Sequence, residues 1–363
     1  MIFGAGIFAL PFAVSRAGIF WGAFYFILAL LLMIFLHLWY GEAAYYTKGK
    51  HRFTGYVEML LGGKAKWFAF LITLFFSYGS LLVYGLLGGI FLTNVFGGSF
   101  FLWSILIFLT GGILIFMSFE KIAIINSYLS IALLGIVVYL FIAAVPHIKI
   151  ANFLSAGSGP TGAFEWFLPY GVWLFSLAGF AVLPEVRDII SGSSFRDFKK
   201  VILISILLCG ILYSFFVFAV VGVNGKNTTE DALGGLKAVL GAPAFLIGSL
   251  LGFLAIFTSF IALAVDLKNI FRYDFRFSSM LAWFSVFLPP IILFLLGATN
   301  FIEILGILGS IGLGLTGIFI VLMARRLAER RNDKKFLMLS WFASGLITLG
   351  IIAAIISELK SFF

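Results

Sequence analysis

The chain has 363 residues, of which 63% are hydrophobic, 18% aromatic and only 11% charged, against about 25% charged residues in an ordinary soluble domain. That composition excludes a soluble globular fold; at ~20 residues per membrane-crossing helix the length holds about ten to twelve spans and leaves little for an aqueous domain. A formal net charge of +9 would suit nucleic acid, but the Lys and Arg residues lie between apolar segments rather than on one basic face with interleaved aromatics, so nucleic acid is excluded as a partner.

Taken in chain order, apolar runs long enough to cross a bilayer occupy 20–46, 67–96, 100–118, 122–145, 167–190, 201–222, 243–267, 279–296, 302–324 and 336–357. Residues 1–17 form a further apolar stretch, long enough for half a crossing. It is no signal peptide, because its first charge, Arg16, follows the apolar part. The single cysteine, Cys209, lies within an apolar run, which leaves no intrachain disulfide, CxxC pair or cysteine zinc site and assigns it to packing.

If every span reverses the chain, the loops after the first, third, fifth, seventh and ninth full spans hold 19 of the 24 Lys and Arg residues, and Arg16, Lys149, Lys226, Lys237 and Lys360 fall on the other side. This bias places loops 47–66, 187–200, 268–277 and 325–335 in the cytoplasm and 146–166 and 223–242 outside a cell membrane. The acceptor pattern Asn227-Thr228-Thr229 falls outside and matters only in a eukaryote; the short loops favour a prokaryote.

Two segments share a pattern. The chain reads Ala5-Gly6-Ile7-Phe8-Ala9-Leu10-Pro11 and later Ala178-Gly179-Phe180-Ala181-Val182-Leu183-Pro184, both AGxxxLP. Each sets a flexible Gly and, five residues on, a helix-interrupting Pro within an apolar segment. They lie five helices apart, with four spans between them, so they enter the membrane from opposite sides, which predicts an inverted repeat. A matched pair of broken segments points to a transporter site on discontinuous helices. Where a helix unwinds at mid-bilayer it frees amides and carbonyls that protein, water or ligand must satisfy. A half-helix N-terminus suits a carboxylate, and freed carbonyls suit an ammonium or sodium ion.

The segments GAGIFALPFAVSRAG, WYGEAAYY, FSLAGFAVLPE and FTSFIALAVDLKNIF together resemble the amino acid-polyamine-organocation superfamily, and within it the bacterial aromatic amino acid permeases and the amino acid/auxin permease group. The resemblance spans nearly the whole chain. It implies an all-α integral membrane protein of leucine-transporter type, one transmembrane domain over 1–363. The first repeat would cover 1–145, an external loop 146–166, a second inverted repeat 167–326 and an extra C-terminal helix 336–357, with helices 1 and 6 discontinuous. It further implies a permease that imports amino acids by alternating access with ion coupling. A sensor or channel-like derivative of the fold is the alternative.

By the same resemblance, Gly4, Ala5 and Gly6 correspond to the unwound loop of helix 1 that receives the substrate carboxylate. Ser176, Ala178 and Gly179 correspond to the break in helix 6 whose carbonyls take the ammonium, with Phe180 as lid or wall. In helix 3, Ser77 and Tyr84 add polar groups that face substrate or bond between helices. Sodium is the preferred coupling ion and the proton the alternative. Thr258 and Ser259 match the place where sodium-coupled relatives supply two side-chain oxygens, and carbonyls near Phe3 and Gly4 would complete the shell. The span 122–145 contains no Lys or Arg to replace the ion. No organic cofactor is implied.

Charged groups near the inner helix ends are Glu42, Glu185, Asp188 and Asp266, and Glu303 lies near an outer end. Snorkelling or interface pairing is expected for Asp188 and Asp266, whereas Glu42 and Glu185 are expected to pair with basic loop residues as an inner gate. His37 is expected to pack as a hydrogen-bonded group rather than relay protons. His37, His51 and His147 are too scattered for a metal motif, so an enzyme is not expected. Only Met1, Ile2 and Phe3 precede the first motif, whereas half of a ~30 Å core at 1.5 Å per residue needs about ten helical residues. The expectation is therefore that helix 1 is N-terminally truncated here and that the native product is longer.

Overall fold

Inside a bilayer no water satisfies backbone amides, so each apolar run must pair them within itself and folds as a helix. A computed structural model describes residues 4–47, 49, 51–115, 119–157, 165–190, 194–332 and 334–361. Among them there is no strand. The helices are α1 (Gly6–Ala17), α2 (Ile19–Tyr46), α3 (Phe53–Leu61), α4 (Gly63–Phe96), α5 (Phe100–Leu114), α6 (Phe119–Ala144), α7 (Ile150–Ser155), α8 (Leu168–Ser176), α9 (Leu183–Ile189) and α10 (Phe195–Asn224). There follow α11 (Gly234–Asn269), α12 (Ser279–Leu295), α13 (Phe301–Ile307), α14 (Leu313–Arg331) and α15 (Lys334–Ser361).

Six stretches of the described chain are long and apolar enough to cross a membrane by themselves: 19–46, 63–96, 165–189, 195–227, 234–274 and 301–330. Shorter apolar helices complete the bundle, and every span expected from the sequence falls on one of these elements. Two short helices, α3 and α7, lie inside the expected loops 47–66 and 146–166. Neither carries a full-length apolar run, so hydropathy could not reveal them. Glu303, expected near an outer helix end, sits in the first turn of α13 and completes a reciprocal cap: its amide donates to Asn300 Oδ1 at 3.2 Å, and Asn300 Nδ2 donates to its carboxylate at 3.0 Å.

The two AGxxxLP segments behave differently at their prolines. In the second, Leu177, Ala178 and Gly179 leave the helix, residues 180–182 form one 3₁₀ turn, and α9 starts at Leu183 with Pro184 in its first turn. There the missing N–H costs nothing. In the first, α1 starts at Gly6 and runs through Pro11 to Ala17. Pro11 therefore does not interrupt its helix, correcting the sequence reading: the break ends at once after the first AG pair, which leaves Pro11 in the second turn.

Lipid tails are as apolar as Leu, so packing between these helices relies on close contact and small residues. Residues 306–312, where α13 passes through a π-helical stretch (308–312) into α14, press on α8. A Cβ on Gly309 would stand 1.8 Å from the Gly171 carbonyl oxygen; only glycine permits that approach. Phe8 of α1 packs edge-on against Phe91 of α4, ring centres 4.7 Å apart, and also meets Phe216 of α10. Large apolar side chains on the outer face, Phe20, Ile113, Ile204 and Leu296 among them, are exposed, where lipid would cover them.

Candidate functional site

The starts of α1 and the end of α8 meet in the middle of the bundle. A Cβ on Gly6 would lie 2.2 Å from Ser176 Oγ and 2.6 Å from Ser176 Cα. Gly4, Ala5, Gly6, Ser176 and Gly179 are all buried and Ala178 is half-buried. Ser176 Oγ donates to the Val172 carbonyl at 2.6 Å, within α8. Tyr213 of α10 hydrogen-bonds the Gly4 backbone and lies beside Tyr84, whose ring meets Phe175 at 6.4 Å. Tyr213 was not singled out by sequence reasoning; the available signal was a phenol in an otherwise apolar helix.

Below the break, Ser77 and Phe180 line a cavity of about 50 Å³ with Tyr40, Thr73, Thr316 and Asp266. Ser77 and Tyr84 thus belong to different levels. Of the remaining expected residues, Thr258 and Ser259 are buried on α11, and both hydroxyls donate to the Ala255 carbonyl at 3.0 Å. A donating hydroxyl keeps its lone pairs for accepting. Phe3 lies outside the described residues.

The break in helix 6 is held from α2. The Gly179 amide donates to His37 Nε2 at 2.9 Å, and His37 Nδ1–H donates to the Met33 carbonyl at 2.8 Å. The imidazole also faces the Phe180 ring, centres 4.1 Å apart. His37 is therefore the hydrogen-bonded group the sequence suggested, but its partner is the unwound segment itself.

At the end of the bundle that carries the basic loops, Arg52 is buried between α9 and α11. Its Nη2 lies 2.5 Å from Glu185 Oε1 and its Nε 3.6 Å from Asp266 Oδ1, with 6% of the Arg52 side chain exposed. Burial alone would lower the pKa of Arg52, but Glu185 and Asp266 outweigh it and raise it above the ordinary value, so the charge is kept. Asp266, expected from the sequence to snorkel or to pair at the interface, does pair, with Arg52, but at 6% exposure inside this cluster rather than at a surface; a buried cation that long-range folding brings to it removes any need to reach the interface. Arg187 pairs with Asp188 at 2.9 Å and donates to the Thr47 carbonyl at 2.9 Å, tying the end of α9 to the end of α2. Glu42 sits half-buried on α2.

A multi-pass helical bundle in which an unwound segment between α8 and α9 meets the start of α1 has the leucine-transporter type of fold. The chain belongs to the tryptophan/tyrosine permease family, whose model matches residues 1–358, and the family makes it an amino acid transporter. No curated protein matches at a significant level. Among solved structures, MhsT in complex with L-phenylalanine superposes with a TM-score of 0.65 at 17% identity, over 98% of this chain and 95% of that one. Mhp1, a nucleobase-cation-symport-1 family transporter, is similar in its closed conformation with bromovinylhydantoin bound (TM-score 0.68, 15% identity, 99% and 89% covered). It is similar also in its inward-facing conformation (0.64, 16%, 98% and 86%). At these identities the likeness shows the fold.

Proposed function

We propose that the protein imports an aromatic amino acid, tryptophan or tyrosine, into the cell across the plasma membrane, coupled to sodium. The observation that carries this reading is the family match over residues 1–358, and the phenylalanine bound by MhsT supports an aromatic substrate. Backbone at Gly4, Ala5 and Gly6 takes the carboxylate. Carbonyls around Ser176, Ala178 and Gly179 take the ammonium, and Phe180 and Tyr84 bound the side-chain pocket. Arg52 with Glu185 and Asp266 closes the cytoplasmic exit beneath the small cavity.

For the ion, Thr258 and Ser259 act with carbonyls near Phe3 and Gly4. Depth supports the pairing. Phe8 reaches Gly252, whose Cβ would stand 2.9 Å from the Phe8 ring. Counting 1.5 Å per residue from that contact along the two helices puts Gly4 and Thr258 within about one turn of the same level. Hard monovalent cations are satisfied by several neutral oxygens.

Purified protein in proteoliposomes should accumulate labelled L-tryptophan or L-tyrosine when an inward sodium gradient is imposed, and Thr258→Ala/Ser259→Ala should lose the sodium dependence. Uptake of neither substrate, with no thermal stabilisation by either, contradicts the substrate assignment. A double variant that keeps the wild-type sodium dependence contradicts the ion site, and uptake driven by a proton gradient alone assigns the proton.

A further inference from the structure

We propose that His37 is a positioning residue of the transport cycle: its neutral imidazole holds the unwound stretch of helix 6 through the Gly179 amide, and protonation of the ring lets that stretch go. The inference rests on the reading that the helix 6 break binds substrate.

An unwound segment at mid-bilayer leaves amides without their helical acceptors, and each must find another partner. For Ala178 that partner is the Phe175 carbonyl, at 3.1 Å. Gly179 is different, because its N–H goes out of its own helix to His37 Nε2 at 2.9 Å. The Nδ1–H bond to the Met33 carbonyl selects the tautomer, since a neutral imidazole carries one donor and one acceptor. Nε2 is then the acceptor. The ring is 1% exposed and lies against Phe180, so it touches both residues at the turn from break to 3₁₀ segment.

A crevice of about 280 Å³ borders this contact, lined by His37, Gly179, Val182, Ser205, Cys209 and neighbouring apolar residues of α9 and α10, with no charged side chain among them. Titratable groups around this contact are the Cys209 thiol of α10, which lines the same crevice, the Tyr40 phenol of α2, whose ring lies 6.3 Å from that of Phe180, and Asp266 of α11, which lines the neighbouring cavity with Phe180. An imidazolium has two donors and no acceptor. On protonation the Gly179 amide loses its partner and meets an N–H⁺ instead, so one proton both removes a hydrogen bond and adds a repulsion at the break. The consequence is acid inhibition that acts through substrate affinity.

The experiment compares wild type, His37→Gln and His37→Ala in proteoliposomes between about pH 3.5 and 8, since a buried ring is harder to charge than a free one, with labelled L-tryptophan, and follows amide exchange of the peptide covering 177–183 by mass spectrometry. The Gln carbonyl can accept the same amide and cannot be protonated. His37→Gln should keep a near-neutral KM within about threefold of wild type and lose the rise of KM in acid. His37→Ala should raise KM about tenfold with a smaller change in kcat, as expected for a buried donor left without a partner. The protection of 177–183, its exchange referred to the intrinsic amide rate at each pH, should fall in wild type on acidification and in His37→Ala at all pH values, and stay high in His37→Gln. Wild-type protection in His37→Ala, or an acid loss of protection retained in His37→Gln, overturns the proposal. If His37→Ala does not fold, the pH response of wild type against His37→Gln decides alone. Amide exchange needs no substrate, so a silent transport assay counts against the substrate assignment and not against the latch.

Discussion

Gly6 is the residue on which the contact between the two broken helices depends. Any side chain there meets Ser176 at 2.2 Å from Oγ and 2.6 Å from Cα, and the second of these is backbone that no rotamer change can move. Gly6→Ala should therefore reduce uptake by about tenfold or more, since overpacking a tight contact costs ~1–3 kcal/mol. Adding Ser176→Gly should not restore it, because the Cα remains. Recovery of uptake in the double variant would show that the hydroxyl alone sets the spacing. At this scale the AG pairs were legible as chemistry that needs small residues. Tyr213 and the His37 contact with Gly179 were not, because each joins residues far apart in sequence that only packing brings together.

Among elements, Arg52 links the segment that leads into α3 to α9 and α11 through Glu185 and Asp266. Asp274 reinforces it from the end of the α11 crossing, accepting from Thr54 Oγ1 at 2.5 Å and from the Gly55 amide at 3.0 Å. Removing one partner of a buried pair leaves an uncompensated charge at a cost of about 3–5 kcal/mol. Arg52→Ala should thus favour conformations in which this end is open. With Cys209 replaced, a cysteine at Thr316, which lines the cavity above the cluster, should react with a polar reagent about tenfold faster or more in the Arg52→Ala background. An unchanged rate would make the cluster a static brace. The acidic residues near this end were visible in the sequence, as was the pairing of Glu185 with a basic loop residue. Its cation was not, since Arg52 is one of several basic residues in the same loop and nothing local marks it as the buried one.

For the whole molecule, the distribution of basic residues sets the orientation to be tested. In cells expressing a Cys209-free protein, an impermeant thiol reagent added outside should label Glu230→Cys and spare Arg330→Cys; both native positions are exposed. The reverse pattern would invert the topology and with it the direction assigned to the gate. Hydropathy alone determined that the chain is a multi-pass helical bundle, because burying backbone in lipid imposes rules that act within each segment, and the second AGxxxLP pattern marked the break between α8 and α9. Whether a proline interrupts its helix, which arginine is buried, and which side chain receives the free amide of helix 6 were decided by the tertiary structure. Those outcomes depend on what stands opposite each group once the helices pack, as Pro11, Arg52 and His37 each show, and a pattern within one segment carries no record of its neighbours.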